Sequence, residues 1–269
     1  MLLSTILYEL RLKRRAIVGW AAIIVLWVAL VAWAWSALEE GEHLQMYEQL
    51  VEAFPEEFVK LFGKGVPPVF NANTFYVYEY FVIVIVLAVG AYVAYLSAGN
   101  VVDDILDKIG PLNLSLPMPR WRLLLSRMLA NIALAVIIML ISLAISSTLL
   151  ILAVDRPITF KNITLLHLIG LLYAIGIISL ATLLGTILPV TIAKSAAAGI
   201  VLVMYILDTM TQNTSLESVG FLTLTRYYPV LEIAVNGTIK IVDVAILTLA
   251  TIILAIIAIA LYRRKDIPV

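Results

Sequence analysis

Residues 16–37 read AIVGWAAIIVLWVALVAWAWSA, a run without a single charge, with Trp20 near one end and Trp33 and Trp35 near the other. About 20 such residues cross a hydrocarbon layer of about 30 Å, and tryptophan concentrates at its two edges. A signal peptide has a shorter apolar core followed by a small-residue cleavage site. Ala34-Trp35-Ser36-Ala37 is a poor match to one, so the run reads as a retained transmembrane span.

Working outward, the same signal recurs. Toward the N-terminus, Leu2, Leu3, Ile6, Leu7 and Leu10 recur at helical spacing, while Arg11, Lys13, Arg14 and Arg15 supply a cationic flank. Residues 1–15 therefore predict an amphipathic helix lying in the membrane interface. Beyond the first span, 38–74 is the one long hydrophilic stretch, rich in glutamate, with a helical middle ended by Pro67-Pro68. Further apolar runs at 75–98, 123–154, 163–188, 194–208 and 241–262 bring the expected number of spans to six. The third is longer than a membrane requires, so it could tilt, or its first turns could stand in the cytoplasm, where Arg127 and Asn131 would be wet. Residues 209–240 contain Pro229 and apolar pieces too short to cross, which predicts an extracellular or re-entrant element packed in protein.

Composition agrees. Of 269 residues 63% are hydrophobic and 13% charged, with a mean hydropathy of +1.06. Soluble domains carry about a quarter charged residues. The net charge of zero and the absence of a basic patch argue against a nucleic-acid partner. There is no cysteine, hence no disulfide or thiol chemistry, and the two histidines, His43 and His167, are too far apart in sequence to form a helical metal pair. Twelve Lys and Arg residues fall on the side of the termini against six on the other, which places both termini in the cytoplasm of a plasma-membrane protein.

The stretch 99–122 carries the most information. It holds Asp103, Asp104, Asp107 and Lys108, then Gly110-Pro111, and re-enters the membrane at Trp121-Arg122. A short charged helix between two spans suits docking to a cytoplasmic protein; an ordinary solvated loop has the same composition. Leu114-Ser115-Leu116-Pro117-Met118-Pro119-Arg120, the acidic segment 103–110 and the tail Tyr262-Arg263-Arg264-Lys265-Asp266-Ile267 resemble the permease subunits of ABC transporters of the type-2 exporter class. Pro111 stands where that family usually has Thr, and aspartates replace its usual Glu pair. The resemblance implies an all-α membrane domain of six spans, with an N-terminal interfacial helix, a cytoplasmic coupling helix and a helical extracellular loop. It implies that Asp103, Asp104, Asp107 and Lys108 couple the chain to a cytoplasmic ABC ATPase subunit, with Pro117 and Arg120 fixing the turn. It also implies a second permease chain, identical or different.

The 269 residues contain no G-x-x-x-x-G-K-[ST] phosphate loop, so the chain is not itself expected to be an enzyme, and ATP and Mg²⁺ belong to the partner subunit. Two other readings stand beside this one. Asp103-Asp104-x-x-Asp107 matches the D-D-x-x-D pattern that binds Mg²⁺-diphosphate in intramembrane prenyltransferases, although those need a second aspartate cluster. A membrane scaffold without transport is the other.

Within the spans, ionisable groups are scarce. Asp208 and Asp243 sit at span ends, where hydration from the interface is expected to accommodate them. Ser142, Ser146, Ser147 and Thr148 cluster in the third span, and Gly170, Gly176, Ser179, Thr182 and Gly185 in the fourth. Close helix packing accounts for such residues. Were they to line a pathway, Ser142, Ser146, Ser179 and Thr182 would make it mostly apolar, suited to a lipid-like, peptidic or hydrophobic substrate.

Overall fold

A computed structural model of the protein describes residues 2–39, 75–106, 119–153, 159–212, 214 and 216–265. The acidic loop, Asp107, Lys108 and Pro117 lie outside the described residues.

All regular structure among them is helical: α1 (Leu2–Leu12), α2 (Arg14–Glu39), α3 (Val77–Leu106), α4 (Arg120–Ala153), α5 (Phe160–Ile187), α6 (Ala193–Thr211), α7 (Glu217–Gly220), a 3₁₀ turn (Leu224–Tyr227), α8 (Val230–Asn236) and α9 (Ile241–Arg264). Six of these, α2 to α6 and α9, are long and apolar enough to cross a membrane, which makes this a multi-pass membrane protein. Helix is the only open form that satisfies every backbone group internally in hydrocarbon. Local signals set the ends: the Thr159 side chain accepts from the Asn162 N–H at the start of α5, and Pro189 follows directly after its C-cap.

The centre of the bundle is α5, which packs against α3, α4, α6 and α9, while α2 leans on α4 and on the first half of α3. Glycines allow the closest approaches. A Cβ on Gly185 would fall 2.8 Å from the Ala98 carbonyl oxygen of α3, and one on Gly176 would meet Thr251 of α9 at 3.1 Å. Backbones can come this near only where the side chain is absent. Between α6 and α9, the chain folds back onto the bundle: Leu224, Tyr228, Val230 and Ile233 are buried, and the Tyr228 hydroxyl donates to the Leu166 carbonyl at 2.8 Å. This part of the chain is thus packed in protein.

Two departures from the sequence expectations concern α3. Its first thirteen residues, Val77–Val89, wind more widely than an α-helix, and the Gly90 N–H reaches back five residues to Ile85. Such π winding is rare and normally lasts a single turn. It buries Tyr80, Phe81 and Val82 in succession. At the other end, no break occurs at Gly99. The helix continues to Leu106, so Asp103 and Asp104 belong to the last turns of the second span instead of to a separate short helix.

Candidate functional site

The last two turns of α3 carry Asn100, Asp103 and Asp104 out of the apolar core. Adjacent helix positions face about 100° apart, so the two aspartates serve different neighbours. Asp104 takes both arms of the Arg127 guanidinium from α4, at 2.9 Å each, and Arg127 also donates to the Asn100 carbonyl at 2.8 Å. Arg127 lies 3.7 Å from Glu9 of α1. Lys13, at the joint of α1 and α2, sits 3.6 Å from Glu9 and donates to Asn131 at 2.6 Å; Asn131 donates to Ser97 of α3 at 3.0 Å. Asp103 turns instead to Lys194 at the start of α6, at 2.8 Å. The Lys194 ammonium also lies 4.4 Å from the Tyr95 ring centre, a cation–π contact.

Arg127 and Asn131 are thus not wet, which removes the reading in which the first turns of the third span stand in water. Asn131 is fully buried and Arg127 nearly so, and both are held by partners on other helices. Glu9, Lys13, Asp104 and Arg127 balance to zero, which is the condition for burying charge. Burial pushes the Lys13 amine below its ordinary pKa, with Glu9 opposing the shift. Next to this node, Lys265 donates to the Gly185 and Thr186 carbonyls at 3.1 and 3.0 Å, capping the end of α5, and burial lowers its pKa as well. Arg120, expected to fix the turn into the membrane, donates to the Lys265 carbonyl at 3.1 Å.

No family model, curated protein or solved structure matches the chain.

The node has consequences for chemistry. Mg²⁺-diphosphate binding asks Asp103, Asp104 and Asp107 to converge on one cation. The first two are engaged by Lys194 and Arg127 on different helices. Among the described residues no three His, Cys, Asp or Glu side chains group closely enough to hold a metal.

A second polar cluster lies deeper. Ser142 of α4 is 2.5 Å from the Tyr80 hydroxyl and 2.7 Å from His167 Nε2, and His167 Nδ1 is 2.8 Å from the Ile163 carbonyl. A carbonyl only accepts, so Nδ1 carries the proton. Nε2 therefore accepts from Ser142, and Ser142 accepts from Tyr80. Tyr76 stacks on Tyr80 with ring centres 5.3 Å apart, and its buried hydroxyl has no hydrogen-bond partner among the described residues. Of the four pathway candidates, Ser142 makes the strong links between helices, and Ser146 lies beside the Tyr76 hydroxyl. Ser146, Ser179 and Thr182 are buried but donate to carbonyls of their own helices, at Leu143, Ile175 and Ile178. Ser179 and Thr182 are 12 and 15 residues along α5 from His167, about 18 and 22 Å, so the four do not form one site.

Ser142→Ala should leave Tyr80 and His167 both without their shared partner and cost about 2 kcal/mol or more. Ser146→Ala, which removes a hydroxyl satisfied within its own turn, should cost under about 0.5 kcal/mol. Thermal unfolding of the two variants in one detergent checks the contrast.

Sequence reasoning missed His167, set aside as half of an absent metal pair. The available signal was a titratable group inside an apolar run, which marks a functional or tightly partnered position by default. It also misread Asp208. This carboxylate is fully buried rather than hydrated, 3.6 Å from Arg226 and accepting from Gln212 at 3.3 Å.

Proposed function

We propose that the chain is the permease subunit of an ATP-driven, ABC-type transporter of the plasma membrane, working as an exporter. In this reading two permease chains enclose the pathway, both termini face the cytoplasm, and a separate subunit hydrolyses ATP. The observation that carries the proposal is the position of the ionic node. α3 runs as one helix from Val77 to Leu106. Its last turns are fastened to α1 and α4 through Asp104 and Arg127, and to α6 through Asp103 and Lys194, immediately before the segment 107–118. A partner pressing on that segment would move four helices together, which is what mechanical coupling to an ATPase requires. The resemblance of the same segment and of the tail at 262–267 to type-2 exporter permeases supports the assignment.

Asp107 and Lys108 keep the role of docking groups in this mechanism, while Asp103 and Asp104 become the fastening behind them. ATP-driven closure of the partner dimer shifts the two-state equilibrium only as far as ATP binds one state better than the other.

The test uses the tagged full chain, purified from its native membrane in mild detergent, with co-purifying proteins identified by mass spectrometry. A stoichiometric subunit bearing a phosphate loop is expected. Since the chain has no cysteine, Lys108→Cys offers a single thiol, which should cross-link to that subunit through a short bifunctional reagent. Recovery of the chain with no ATPase would sink the proposal.

A further inference from the structure

At the end of the bundle away from both termini, the ends of α6 and α9, the Leu224–Tyr227 turn and α8 border an open cleft of about 520 Å³. Its wall includes Gln212, Phe221, Arg226, Tyr227, Lys240 and Asp243. The volume is that of a site for a drug-sized molecule, several times what a bare ion needs.

The charges of the wall are unevenly satisfied. Arg226 is paired with Glu217, lies 3.6 Å from the buried Asp208 and stands 5.1 Å from the centre of the Phe221 ring. Lys240 is paired with Glu232 at 3.1 Å. Asp243 forms no ion pair or side-chain hydrogen bond among the described residues. Both cations are thus already bound to carboxylates: Glu232 and Asp243 line the cavity beside Arg226 and Lys240, while Asp208 and Glu217, the partners of Arg226, stand outside the wall, so Asp243 is the lining acid left without a pair. Two aromatic rings, Phe221 and Tyr227, line the same space. Aromatic faces attract cations, and the attraction grows as water is removed. Around the cavity, Leu216, Leu222, Val235, Ile241 and Val242 expose large apolar surfaces, as expected where a wall meets lipid.

We propose that this cavity binds a lipophilic organic cation, an ammonium or phosphonium centre carrying apolar substituents, with Asp243 as its counter-charge and Phe221 and Tyr227 as its aromatic lining. A divalent metal fits the site poorly, because it demands several carboxylate oxygens within about 2.6 Å of one point. No such group of acids exists among the described residues. The inference needs only the membrane-spanning fold and stands apart from the ATPase reading.

Equilibrium binding of radiolabelled tetraphenylphosphonium to the full chain in lipid nanodiscs tests it. Saturable binding is expected above that of empty nanodiscs, weakened about tenfold or more by Asp243→Asn and several-fold by Phe221→Leu. Tetraphenylborate, of the same shape and opposite charge, should bind no better than to empty nanodiscs. An acid at the third position of α9 is also favoured by the helix dipole alone. If that is its whole role, Asp243→Asn lowers the melting temperature and leaves phosphonium binding intact, which overturns the proposal. Equal binding of the borate overturns it too, as does displacement of the phosphonium by micromolar Mg²⁺.

Discussion

Arg127→Met is expected to destabilise the protein by about 3–5 kcal/mol, because it takes the bidentate partner from the buried Asp104 carboxylate among α1, α3 and α4. The side chains of Arg127 and Asp104 are only 11% and 10% exposed, so water cannot replace what is lost. Asp104→Leu combined with Arg127→Met removes both charges and should recover most of the loss, since a buried pair gives little net stability over apolar residues of similar size. The double-mutant cycle isolates the interaction energy. Apparent melting temperatures in one detergent, followed by tryptophan fluorescence, provide the readout. Wild-type melting of Arg127→Met would mean that the node holds nothing together.

The second large effect is expected at Gly185. Alanine there places a methyl group 2.8 Å from the Ala98 carbonyl oxygen and 3.1 Å from its Cα, both backbone atoms of α3. Backbone cannot step aside as a side chain can, so the two central helices must part, at about 1–3 kcal/mol for alanine and more for valine. Gly199 of α6 has nothing within 4 Å of its missing Cβ, and Gly199→Ala should be neutral or stabilising by up to about 1 kcal/mol through helix propensity. Melting shifts of opposite sign for the two alanine variants are the expected result. Similar shifts would show that the contact between α3 and α5 is not tight.

The six spans were legible because a bilayer imposes a length on any apolar helix, and that length is written directly in the runs. The sixth was read as 241–262 and is Ile241–Arg264; the fourth was read as 163–188 and is Phe160–Ile187. What escaped is pairing between helices. Arg127 looked wet because its partners, Asp104 and Glu9, lie 23 and 118 residues away in sequence. The wide winding of Val77–Val89 left no trace for a related reason. Nearly every position there is apolar, so no periodicity exists to read. Gly99 suggested a boundary, as glycine often does. In the structure its missing side chain leaves room for the Asp103 carboxylate, which folds over it on the way to Lys194. The substrate-pathway candidates were chosen by residue type, and type does not reveal that Ser179 and Thr182 spend their hydroxyls on their own helix.

The length of α4 sets the two polar clusters in different surroundings. Its 34 residues rise about 51 Å, some 20 Å more than the hydrocarbon layer is thick. Arg127 is seven residues, about 10 Å, from its start, one to two turns beyond the exposed Arg120 and Arg122. Ser142 lies about 22 Å farther along the same rod. The ionic node therefore lies near one end of the rod, with its guanidinium shielded by Asp104 and Asn100, and salt and headgroup charge meet Arg120 and Arg122 before they meet Arg127. The Tyr80, Ser142 and His167 relay lies farther from both.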